Sequence, residues 1–89
     1  MTEETALKHQ IRDYLMLKRI FNFPVLQGLG AKKGIPDRFA VKNGRLFGIE
    51  VKRPAGRMSV HQAQFKMELE AAGGVYIEAR SLEDVMKYF

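Results

Sequence analysis

The chain predicts an α/β domain, a small mixed sheet flanked by helices in the order α-β-β-β-α-β-α, and three features carry that reading. Asn43-Gly44 stands between two apolar-rich runs, the strongest short-range signal for a two-residue hairpin of type I′. An amphipathic stretch at 60–72 separates the second hairpin strand from an apolar run at 75–79, long enough for a right-handed crossover between parallel strands. Another amphipathic stretch at 3–20 precedes all the strands, with Leu7, Ile11, Tyr14 and Leu15 on one stripe.

Along the chain, the first helix gives way to Phe23-Pro24-Val25-Leu26, which reads as a first strand with Pro24 near its start or edge. Gln27 to Gly34 mixes glycines with Lys32 and Lys33 without periodicity, a flexible basic loop. Strands at 37–42 and 45–52 form the hairpin. Arg53, Pro54, Gly56 and Arg57 make a second basic loop. Ser59 is placed to cap the helix at 60–72, whose stripe is Gln62, Phe65, Leu69 and Ala72, and Gly73-Gly74 ends it. Val75 to Ala79 follows as a strand. Ser81-Leu82-Glu83-Asp84 resembles a capping box opening a last helix that runs to Phe89. There is no linker, repeat or low-complexity tract, so 1–89 is expected to be a single domain.

Composition narrows the function. At 89 residues and 46% apolar content, one small core is affordable and wholesale disorder is excluded. The absence of cysteine removes disulfides and thiolate zinc sites, and it fits a reducing compartment such as the cytoplasm. Only His9 and His61 are present, too few for a histidine-rich metal site, and both are expected at the surface. No apolar run reaches the length of a membrane span and no signal peptide is recognisable, so no membrane partner is expected. A net charge of +5 favours a polyanionic partner, nucleic acid first.

The hairpin places charges together. Counting back from the turn, Lys42 faces Arg45, Val41 faces Leu46, and Asp37 faces Glu50. Cβ atoms of facing residues lie roughly 4.5–5.5 Å apart on one face, and the strand period puts Lys52 on the Glu50 face as well. Two carboxylates so close are destabilising unless something positive sits between them, a divalent cation or a lysine. Blander readings stand beside this one. Glu50 and Lys52 are also a common charge pair on an exposed strand, Glu4 also suits the first turn of a helix through its dipole, and Gln62 also suits packing or capping. Lys8, Arg12, Lys18 and Arg19 read as a solvated helix face. Lys32, Lys33, Arg53 and Arg57, in the two loops beside Asp37 and Glu50, read as phosphate-binding residues, with a solvated basic rim as the alternative.

Asp37, a hairpin, then Glu50-Val51-Lys52 is similar to the Asp…Glu-x-Lys signature of the restriction-endonuclease-like superfamily. More narrowly, Gly34-Ile35-Pro36-Asp37, Glu50-Val51-Lys52 and Gly56-Arg57-Met58-Ser59-Val60-His61-Gln62 resemble the virus-type replication-repair nuclease (VRR-NUC) family, over nearly the whole chain. The resemblance implies a restriction-endonuclease-like core and a Mg²⁺- or Mn²⁺-dependent deoxyribonuclease. It implies metal ligation by Asp37, Glu50 and the Val51 carbonyl, with Glu4, or Glu3 beside it, reaching in from the first helix. It gives Lys52 and Gln62 catalytic roles. It further implies branched DNA, four-way junction or flap, as substrate in replication, repair or recombination, and a homodimer. The clusters Ile20, Phe21, Phe23 and Met86, Tyr88, Phe89 are the apolar candidates for the dimer surface. The alternative function is a basic nucleic-acid-binding module without chemistry.

Overall fold

The computed structural model describes residues Met1 to Phe89. Seven elements follow in the expected order: α1 (Glu3–Leu17), β1 (Phe21–Pro24), β2 (Arg38–Lys42), β3 (Arg45–Val51), α2 (Val60–Ala71), β4 (Val75–Ala79) and α3 (Leu82–Met86). They build a compact α/β domain around a four-stranded sheet of order β1-β2-β3-β4, antiparallel across the first three strands and parallel between β3 and β4. No helix is long and apolar enough to cross a membrane.

The hairpin sets the register. Asn43 and Gly44 both adopt positive φ, 53° and 75°, as a type I′ turn requires. Lys42 faces Arg45 and Arg38 faces Ile49, as counted from the turn. Strand alternation then sends Ala40, Phe47, Ile49, Val51, Ile77 and Ala79 to one face, where Ile11 and Leu15 of α1, Val85 of α3 and Phe89 close the main core. Phe39 and Tyr76 point to the other face, where Phe65 of α2 covers them.

Three elements depart by more than one residue from the expected bounds. Helix α1 stops at Leu17, short of residue 20, because Arg19 turns left-handed at φ 58°. The Arg19 N–H bonds the Met16 carbonyl and the Ile20 N–H bonds the Leu15 carbonyl, a Schellman ending whose Leu15–Ile20 contact belongs to the core. Strand β1 covers 21–24 in place of 23–26. Val25 N–H still donates to the Asp37 carbonyl at 2.9 Å, so alternate residues 21, 23 and 25 aim their backbone groups at β2, and the missing N–H of Pro24 falls on the open edge. Helix α3 ends at Met86 and not at Phe89. The terminal Phe89 turns into the core, 4.8 Å from the Phe47 ring centroid, and its carbonyl accepts the Tyr14 hydroxyl at 2.8 Å.

Gly48 lies opposite Phe39 in the buried centre of the hairpin. A Cβ there would sit 2.9 Å from Pro36 Cγ, and Pro36 is itself fully buried. The glycine therefore lets Pro36 lie flat on the sheet immediately before Asp37. Gly48→Ala is expected to lower stability by about 1–3 kcal/mol, the usual effect of overpacking a tight core. Chemical denaturation measures this; an unchanged midpoint would show that Pro36 is not clamped.

Candidate functional site

The loop entering β2 is shaped to deliver one carboxylate. Gly34 sits at φ 78°, and any Cβ on it would strike the His61 carbonyl in the first turn of α2, so only glycine lets the loop press against that helix. Pro36 then packs over Gly48, and Asp37 follows. Its carbonyl is held by Val25 N–H, while its carboxylate accepts the Val51 N–H at 2.8 Å through Oδ2. Oδ1 meets Gln27 Nε2 at 3.4 Å and Lys8 Nζ at 3.5 Å.

Continuing the register past Arg38–Ile49 sets Asp37 opposite Glu50. In a two-residue hairpin the pair beside the turn is hydrogen-bonded and the pairs alternate, which puts Asp37 and Glu50 at a non-hydrogen-bonded position, where facing side chains come closest. Glu50 is only 7% exposed, and its Oε1 is buried with no hydrogen-bond partner. Burial first, and then the Asp37 carboxylate, push the Glu50 carboxyl up to about 7, against the pull of Lys52 and Lys8.

Lys52 lies just past the end of β3, its N–H continuing the parallel ladder to the Ala79 carbonyl. Its ammonium donates to Gln62 Oε1 at 2.5 Å. The same Gln62 oxygen accepts the Ser59 N–H at 3.0 Å, and Ser59 Oγ accepts the Gln62 N–H at 3.1 Å. Gln62 is thus the capping-box residue of α2 and the residue that positions Lys52; the two readings of it are one arrangement.

Val51 enters the site through its N–H. In an extended strand the N–H and C=O of one residue project to the same side, so the Val51 carbonyl also faces β2. The residue opposite it in the register is Pro36, which has no N–H to offer. Glu4 does not join the carboxylates: its Oε1 accepts Arg53 Nε at 3.1 Å, and no three Asp, Glu or His side chains converge anywhere in the chain. Glu3 is exposed. Of the four expected phosphate-binding residues, Arg53 takes that carboxylate and Lys32 approaches Glu68 at 3.8 Å, whereas Lys33 and Arg57 are exposed without an ion pair. A depression of about 350 Å³ runs from Gln27 and Gln62 to Lys32 and Lys33, and another of about 460 Å³ joins Lys52 to Arg53 and Glu4.

Three residues beside Asp37 lie outside the expected site: Lys8, whose sequence context reads as a solvated helix face, Gln27 and Arg38. Lys8 lies one helical turn from Glu4 and three residues before buried Ile11, which puts it at the border of the packed stripe; that position was the available signal. Gln27 carries none, being one polar residue in an aperiodic loop. Tyr76 is also new: its buried hydroxyl has no partner, and burial with Glu50, Glu78 and Asp37 nearby holds it well above the ordinary tyrosine value.

Two facing carboxylates, one with an orphaned buried oxygen, and a main-chain carbonyl opposite a proline form an all-oxygen donor set. That set fits Mg²⁺ or Mn²⁺, which keep several waters and need few protein ligands. Comparison of the chain with family models, with curated proteins and with solved structures finds no match.

The electrostatics predict a pH signature. Without metal, the folded-state Glu50 value of about 7 exceeds its ordinary value of 4.5, so between those pH values the folded protein holds a proton that the unfolded chain has released. Stability therefore falls as pH rises through that window. Glu50→Gln is expected to remove this fall and to stabilise the protein at pH ~8 by on the order of 1–2 kcal/mol, a melting rise of roughly 5–10 °C for a domain this size. Parallel melting curves at acid and alkaline pH in chelator would contradict the assignment if mutant and wild type moved together.

Proposed function

We infer that the chain is a metal-dependent DNA endonuclease with a restriction-endonuclease-like core of the virus-type replication-repair nuclease kind. The observation that carries this reading is the Asp37–Glu50 pair, a buried, unneutralised carboxylate facing a second one beside a positioned lysine. A module that only gripped DNA would gain nothing from negative charge at this point, since it repels phosphate.

Asp37, Glu50 and the Val51 carbonyl would hold Mg²⁺ or Mn²⁺, which when bound activates water and neutralises the scissile phosphate. Lys52, fixed by Gln62, would place its ammonium against the phosphate oxygens where charge builds up during cleavage. Lys33 and Arg57, free of ion pairs, and Lys32 and Arg53, each held by one exposed carboxylate, would bind the backbone on either side. Glu4 would act on the Arg53 loop and not on the metal. Selectivity for branched DNA follows from the family resemblance. Dimerisation draws support from Phe21 and Phe23, 68% and 41% exposed on the open edge strand β1. Ile20 and Phe89, by contrast, complete the core.

The decisive experiment incubates the protein with duplex, flap and four-way-junction DNA in Mg²⁺, Mn²⁺ or chelator. Cleavage is expected only with metal, and Asp37→Ala or Glu50→Ala is expected to abolish it in a folded protein. An Asp37→Ala variant cutting at the normal rate would remove the metal-site reading, and tight binding without any cutting would leave the binding module. Lys52→Ala is expected to slow single-turnover cleavage by orders of magnitude with little loss of affinity, since its interaction is made chiefly in the transition state. Sedimentation equilibrium is expected to give twice the 10.2 kDa chain mass; the monomer mass with and without DNA would refute the dimer.

A further inference from the structure

A groove of about 400 Å³ opens beside Asp37 on the side away from Lys52, between α1 and the segment leaving β1. Its volume falls within the roughly 300–1,000 Å³ of small-molecule sites. The two sides differ in chemistry. Pro24, Val25 and Leu26 form an apolar wall, and Leu26 is 91% exposed, far more than packing requires. Lys8 and Arg38 supply positive charge, with Asp37 at the end where the groove meets the carboxylates.

Arg38 is the unusual member. It is partly buried, yet it makes no ion pair, and its one side-chain hydrogen bond goes to the neutral Asn22 Oδ1. Burial withdraws it from water, and the Arg12 guanidinium lies close enough to oppose its charge. Arg12 itself is bonded only to the adjacent, largely exposed Asp13. A half-buried guanidinium beside a second cation and without a carboxylate is an incomplete arrangement, and an anion completes it. The neighbouring apolar wall asks for a flat or hydrophobic group attached to that anion. A nucleotide has both parts.

We propose that this groove binds one unpaired nucleotide of the DNA strand, its phosphate on Arg38 and Lys8 and its base against Val25 and Leu26. The base must be unpaired, because a base stacked inside a duplex cannot enter a side groove without being extruded. Resting on the nuclease reading for the strand's course, the subsite gives a physical source for selectivity toward DNA with single-stranded character at the cut, which the carboxylate pair alone cannot supply.

The test is binding in chelator, where no cleavage interferes, read by fluorescence anisotropy with a labelled single-stranded oligothymidylate and a perfectly paired duplex. Leu26→Ser alters an exposed side chain and leaves the core untouched; Arg38→Gln is accompanied by a melting curve. Each is expected to weaken single-strand binding by roughly fivefold or more, the scale of losing one base contact, while duplex affinity changes less than about twofold. Unchanged single-strand binding in Leu26→Ser, or equal losses for both probes in both variants, would overturn the proposal. Failure here is separable from failure of the nuclease reading. A protein that cuts DNA yet ignores both substitutions loses only the groove, and one that shows the selective loss yet never cuts with metal loses only the chemistry.

Discussion

The structure turns on a like-charge contact that the hairpin register makes unavoidable. Once Asn43-Gly44 closes the turn, Asp37 and Glu50 must face each other at the close-approach position. The fold disperses the Asp37 charge over the Val51 amide, Gln27 and Lys8, and leaves Glu50 Oε1 buried without a hydrogen-bond partner. Hydrogen bonding and desolvation thus split two chemically similar groups into a carboxylate well supplied with donors and one that resists ionisation. The unsatisfied half is where an external cation has most to gain.

Around this pair the local sequence rules become strict. Gly34 is demanded by the backbone of α2, Pro36 is seated on Gly48 and offers no N–H opposite Val51, and Gln62 Oε1 accepts two bonds at once. Because Gln62 caps α2 and positions Lys52, the start of that helix and the lysine share one hydrogen-bond network. Arg80 extends the tie to the second basic loop, its guanidinium joining Glu78 at 2.7 Å to the Gly56 carbonyl at 2.7 Å. The loop carrying Arg53 and Arg57 is therefore anchored to β4 and does not hang free.

The hairpin, its register and the order of the seven elements were legible because each rests on local signals: a two-residue turn, period-two strands, an N-cap serine. The misplaced boundaries have specific causes. Helix α1 ends on an arginine in a conformation usually marked by glycine, so its Schellman ending carried no signal. The run from Phe23 to Leu26 is continuously apolar, yet it is divided by which residues face β2, and that depends on pairing with a strand fifteen or so residues later. Phe89 reads as helical because Ser81 and Asp84 open a helix well, while its actual place is set by Phe47 and the Tyr14 hydroxyl far away in sequence. For the site, facing residues across the hairpin were countable. Lys8 and Gln27 reach Asp37 from other elements, and no spacing rule connects them to it.

The polar groups of the site collect at one end of the sheet, where the parallel strands β3 and β4 reach their C-terminal ends. That end of a parallel pair is where backbone ladders stop and ligands commonly bind. Here the first turn of α2 arrives as well, with no acidic residue in it and with its positive dipole end beside Lys52. Lys8 from α1, Lys52 from β3 and the start of α2 thus surround two carboxylates with positive potential contributed by three separate elements. A cation between the carboxylates and an anion held against the surrounding positive groups would satisfy both sets simultaneously, whereas either alone leaves the other frustrated. A phosphodiester paired with a divalent metal has that alternation of charge, which is the physical argument behind the phosphate chemistry proposed for this site.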